Sequence, residues 1–117
     1  MPTKLGQVTV APEVIMEIVR QTALATPGVA RLDIFQPRRA SRLFSEKTGS
    51  GIALEIGEND LVTVDLFVIA EPDAPMLPLG RTLQREISRA IQEGLGMPVQ
   101  EVNIHIQDVA DRYAAAA

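Results

Sequence analysis

Cysteine is absent from this chain. That excludes disulfides, cysteine-ligated zinc, iron–sulfur clusters and a cysteine nucleophile. Tryptophan is absent as well, and aromatics make up only 3% of the residues, so platforms for base stacking are scarce. The single histidine, His105, cannot supply a histidine-rich metal site or most histidine relays. No apolar run reaches membrane-spanning length. The most apolar stretch, residues 61–70, contains Thr63 and Asp65. It is about half of the ~20 residues that a spanning helix needs. Nothing after Lys4 looks like the apolar core of a secretory leader. The expectation is therefore a cytoplasmic protein with no membrane span and no cofactor, outside most common enzyme chemistries.

What is present is ordinary globular material. The chain has 117 residues, 46% of them hydrophobic and 22% charged. This suits one domain over residues 1–117. Within it the reading places a core at 6–109, a mobile basic loop at 36–50 and a tail at 110–117. Eleven bases and fifteen acids give a net charge of −4, a poor starting point for a nucleic-acid binder.

The hydrophobic period then sets the elements. Val8 and Val10 alternate with polar residues and predict a strand over 7–10. Pro12 and Glu13 predict a helix start, since proline suits the first helical position and an acid suits the first turn. Ile15, Ile18, Val19 and Thr22 follow at helical spacing, with Val14 and Ala23 widening the stripe. The helix ends at Thr26-Pro27-Gly28, because proline disfavours helical geometry in the residue before it. Residues 29–35 can form a short strand. Residues 36–50 lack a period and read as a long loop, a feature often functional in a compact domain.

Residues 51–56 and 62–70 read as a hairpin whose register can be derived. Setting Ile56 against Val62 places Leu54 opposite Val64 and Ile52 opposite Leu66, so six apolar side chains share a face. A slip of one residue would set Ile52 against Asp65. A second helix is expected from Pro78, with Leu79, Leu83, Ile87, Ala90 and Ile91 on its apolar side. Gly94, Gly96 and Pro98 stop it. A last strand covers 101–107, with Val102, Ile104 and Ile106 inward and Asn103 and His105 outward. The predicted fold class is α+β: a two-layer domain with a mixed sheet of four or five strands and two helices on one face. The other face is left open to solvent or to a partner.

Three stretches, GQVTVAPEVI at 6–15, TPGVA at 26–30 and EVNIHIQDV at 101–109, together with the acidic turn GEND at 57–60, resemble the bacterial alkaline-shock-protein family of envelope stress response proteins. Their order and spacing carry the resemblance, which covers residues 6–109. It implies a small, non-enzymatic, cytoplasmic protein tied to envelope or alkaline stress. It also implies a protein partner, in some members an integral-membrane protein that holds them at the inner face of the membrane. A homo-oligomer is compatible with it. The family offers no catalytic residues to carry over, and this chain departs from its pattern in the arginine-rich stretch at 36–47.

Two candidate surfaces follow from the residues. The first is the outer sheet face. Phe67 and Ile69 make an apolar centre beside Thr63, Asp65, Asn103 and His105, the anatomy of a protein interface. Coverage by the 29–44 segment, through Phe35 or Phe44, is the competing reading. His105 could pair with Asp65 or Glu55, but no nucleophile, glycine-rich phosphate loop or metal partner accompanies it. The second surface is basic. Residues 31–47 carry five bases against two acids, a balance of +3, while the rest of the chain stands at −7. Arg38, Arg39 and Arg42 in the loop, with Arg81, Arg85 and Arg89 at spacing four on the second helix, are the anion-binding candidates. They support an alternative function, a small RNA- or phosphate-binding domain, whose affinity would fall steeply with salt. Ordinary solvated charge is the plainer account.

Overall fold

The computed structural model describes residues 4–33, 47–49 and 51–111, with the side chains of 47–49 left aside. Helix α1, Pro12–Ala25, begins at a proline without a side-chain cap and carries Glu13 in its first turn. Ile15, Val19 and Ala23, each one turn apart, are its buried stripe. Val14 does not widen that stripe and stands 46% exposed. At the other end, Gly28 takes φ +105, and a Cβ there would lie 3.2 Å from a Leu79 methyl. The turn therefore packs tightly against the second helix.

Five strands form one mixed sheet: β1 Val29–Leu32, β2 Lys47–Gly49, β3 Ile52–Ile56, β4 Val62–Ala70 and β5 Val99–Val109. The hairpin register is the expected one, with Ile56, Leu54 and Ile52 opposite Val62, Val64 and Leu66. Asn59 and Asp60 in its short 3-10 turn take positive φ, which these two residue types tolerate. β4 is the centre of the sheet and is buried along all nine residues.

β4 has two occupied edges. On one side β5 runs parallel to it for its whole length. The other side is shared end to end by two antiparallel strands, β3 against residues 62–66 and β1 against 68–70. Phe67 sits at the joint: its N–H donates to Gly51 and its carbonyl accepts from Asp33, both at 2.8 Å. Gly51 takes φ +81, and a Cβ would stand 2.6 Å from the Asp33 carbonyl oxygen. Only glycine lets the two strand ends meet there.

Helix α2, Met76–Arg89, buries Leu79, Leu83 and Ile87. It starts two residues earlier than expected, with Pro78 inside a first turn whose N–H groups need no helical partner. It then loosens into a π-helical turn, Ala90–Leu95, which closes at Gly96 with φ 71. Both helices lie on one face, over Val62, Val64, Leu66, Val68 and Ala70 of β4, in one apolar cluster. The two-layer α+β prediction is realised.

Three expectations are corrected. Residues 7–10 form no strand; Val8 is 95% exposed and only Val10 packs on the core. The alternation is there, and the segment lies beside Ile56 at the end of β3, but it forms no ladder with it. The loop expected at 36–50 contains strand β2 at 47–49, which pairs with β3. The last strand is longer than 101–107 because β4 supplies a partner over its full span.

Candidate functional site

The outer sheet face is built by register. Parallel pairing sets Asn103 beside Asp65 and His105 beside Phe67. Side chains alternate along a strand, so Thr63, Asp65, Phe67 and Ile69 all leave β4 on the side away from the helices. Each of the four is buried, Phe67 at 1% exposure. The expectation of an open face with an exposed phenylalanine is thus corrected: the β4 side chains form a floor, not a rim. Phe67 touches Ala53 of β3 in a small second cluster. Phe35 and Phe44, considered as its cover, lie outside the described residues.

A polar network stands on this floor. The His105 ring lies over the Phe67 ring, with centroids 4.7 Å apart and planes 15° apart. Its Nε2 donates to Asp65 Oδ1 at 2.6 Å. A carboxylate oxygen accepts, so that bond places a hydrogen on Nε2 and leaves Nδ1 for another group. Asn103 Nδ2 reaches the other Asp65 oxygen at 3.4 Å and Glu101 Oε1 at 3.3 Å. A buried carboxylate is costly unless it is paired; here Asp65 meets His105 on one oxygen and Asn103 on the other. The His105 side chain remains 41% exposed. The exposed part of the face is therefore β5: Glu101, Asn103 and His105.

Chemically this arrangement holds an imidazole in place but aims it at no nucleophile. The Thr63 hydroxyl turns to Gln100 Oε1 at 3.4 Å rather than to His105. Among the described residues no group of three His, Asp or Glu side chains could hold a metal ion. The sequence brought together Asp65, Asn103, His105 and Phe67 correctly but missed Glu101. Its signal was its place two residues before Asn103 on the same face.

The basic candidates separate. Arg38, Arg39 and Arg42 lie outside the described residues. Arg81, Arg85 and Arg89 are exposed on α2 and are answered locally. Arg81 donates to Gln84 at 3.1 Å. Arg85 is 3.5 Å from Glu86, and Arg89 stands 3.7 Å from both Glu86 and Glu93.

A model of the alkaline shock protein 23 family, described by a cell envelope-related function, matches residues 1–111. The chain belongs to that family. The alkaline shock protein 23 family is not a known enzyme family. Among its relatives, the uncharacterized protein Spy1535 of Streptococcus pyogenes serotype M6 is 23% identical over 106 residues, covering 90% of this chain and 80% of the relative. The uncharacterized protein YqhY of Bacillus subtilis is 27% identical over 105 residues, covering 89% and 77%. Two solved variants of the MamM CTD share the fold. One, in its zinc form, gives a TM-score of 0.52 at 8% identity over 85% of this chain and 87% of that one. The second gives 0.51 at 10% identity over 82% and 95%. Likeness at these identities is one of fold alone. No helix among the described residues is long and apolar enough to cross a membrane.

Proposed function

We propose that this chain is a non-catalytic interaction module of the envelope stress response, acting at the inner face of the membrane through a protein partner. The partner is a second copy of itself or a membrane-held protein, and the outer face of β5 is the contact. One observation carries this reading. The network consumes both oxygens of Asp65 internally yet leaves Glu101, Asn103 and His105 displayed on a rigid, aromatic-floored strand. An exposed polar rim over a packed apolar base is the anatomy of an interface. The RNA- or phosphate-binding alternative draws less support, because Arg85 and Arg89 already face Glu86 and Glu93.

The test is capture of partners from the native host by the tagged full chain, with and without membrane solubilisation. Recovery of one membrane protein, or of untagged copies of the chain, supports the module. Glu101→Lys inverts a charge on the rim without touching Asp65, and is expected to lose that capture at an unchanged melting temperature. Capture equal to the unaltered chain would remove the outer face from the proposal.

A further inference from the structure

The far edge of β5 carries a second message. Among the described residues, β5 pairs only with β4. The register shows which of its backbone groups are left over. Val62 N–H donates to Pro98 and the Ala70 carbonyl accepts from Ala110, so even-numbered residues of β4 turn their amides toward β5. Phe67 turns the opposite way, to Gly51 and Asp33. With Val64, Leu66 and Val68 aligned to Val102, Ile104 and Ile106, residues 101, 103 and 105 bond β4 and residues 102, 104 and 106 point outward. Gln84 confirms the direction: its side chain leaves α2 to donate to the Val102 carbonyl at 3.0 Å.

Edge strands in proteins that stay single are shielded by lysine, proline, bulges or shortness. β5 has eleven residues and contains no lysine, arginine or proline. Its irregularities lie at the two ends. The register with β4 shifts between Val62 and Thr63 at the start and between Val68 and Ile69 near the finish, where Asp108 Oδ1 also takes the Val109 N–H at 2.8 Å. Between them, residues 102–106 have no second strand among the described residues, and Gln84 occupies only the Val102 carbonyl. Beside it runs a groove of about 160 Å³ whose walls include Met76, Leu77, Gly80, Ile104 and Ile106. Leu77 stands 79% exposed on its lip.

We infer that this edge pairs with the same edge of a second copy, antiparallel, about a two-fold axis through Ile104. The strand is self-complementary in that register. Val102 falls opposite Ile106 on the helix face, Asn103 opposite His105 on the outer face, and Glu101 opposite Gln107. Shifting the axis to His105 sets histidine against histidine and Val102 against Asp108. Shifting it to Asn103 sets Gln100 against Ile106. Only the axis at Ile104 keeps apolar with apolar and engages all three outward residues. The Val102 carbonyl keeps a second lone pair beside Gln84. The two-fold stands perpendicular to the joined sheet, so both helix layers share one side and each Leu77 meets the other copy's groove. This rests on the self-association arm of the proposed function and places that arm at the edge of β5, beside the outer face, with a second copy as the partner.

The cysteine-free chain makes the test direct. Directly opposite residues of a hydrogen-bonded antiparallel pair have Cα atoms about 5.5 Å apart. That is within the roughly 4.4–6.8 Å a disulfide spans. The full chain carrying Ile104→Cys is expected to cross-link to a dimer on mild oxidation, whereas Gln107→Cys is not. Sedimentation of the chain without cysteine is expected to show a dimer that Leu77→Glu weakens at least tenfold. A chain that stays monomeric up to millimolar concentration overturns the inference. So does a dimer indifferent to Leu77→Glu, or one that cross-links equally through Gln107→Cys. A monomer that still captures a membrane protein overturns the edge pairing alone, and a dimer that captures none overturns only the membrane partner.

Discussion

Replacing Phe67 with alanine probes the floor of the outer face. The ring is 1% exposed, packs on Ala53 and lies under His105. Truncating a buried phenylalanine costs about 3–5 kcal/mol in lost transfer energy and cavity. Against a total stability of about 5–15 kcal/mol this is a large share. At roughly 3–5 °C per kcal/mol for a chain of this length, the melting temperature should fall by about 9–25 °C. Phe67→Leu keeps much of the volume and loses the ring contact, so its cost should stay below about 1.5 kcal/mol. Urea unfolding with both variants gives the two values. A second reading comes from the His105 ring protons, whose NMR shifts should move once no aromatic face lies beneath them. If Phe67→Ala costs less than about 1 kcal/mol, the ring is solvated in solution and the outer face is open after all.

Other expectations follow from single geometric facts. Gly51→Ala meets a positive φ worth about 1–2 kcal/mol and a carbonyl oxygen 2.6 Å from the new methyl, so its cost by urea unfolding should exceed 2 kcal/mol or so, with strand β1 the first to lose amide protection. His105→Ala leaves Asp65 without its short hydrogen bond and should cost about 1.5–3 kcal/mol, whereas His105→Gln restores an N–H donor and should recover at least half of that in the same assay. Glu17 is hydrogen-bonded by Arg20 and Gln21, which holds its carboxyl below the ordinary glutamate range, Arg20 being the larger cause. A lowered folded value means the contact stabilises α1 above the ordinary value and is lost as pH falls through the lowered one. NMR titration should place Glu17 below a solvated glutamate, and Arg20→Ala should return most of the difference.

The parts of the fold legible in the sequence were those fixed by local rules with one answer. Pro12 and Glu13 marked the start of α1 because proline is pre-set for the first helical position and an acid favours the first turn. The hairpin register followed from face matching, since the neighbouring register would have buried Asp65 beside Ile52 in the helix-covered core. The strand expected at 7–10 failed for a reason no local rule contains. Alternation makes a segment able to pair, and pairing needs an edge that only the tertiary fold can supply. The same gap hid β2: three residues become a strand only because β3 offers an edge.

The site shows the limit more sharply. Which residues share the outer face was legible from period two, and it named Asp65, Phe67, Asn103 and His105 together. Whether they were exposed was not, because burial on a sheet depends on what lies across the strands rather than along them. Phe67 packs on Ala53 of β3 and lies under the His105 ring of β5, and these neighbours turned an expected apolar anchor into a floor. Display then passes to the neighbouring edge strand. The same parallel pairing that brings His105 onto Phe67 turns the amides of Val102, Ile104 and Ile106 away from the sheet. A polar rim and an outward-turned backbone edge on one strand are thus two consequences of one register, and a residue slip in β5 would remove both.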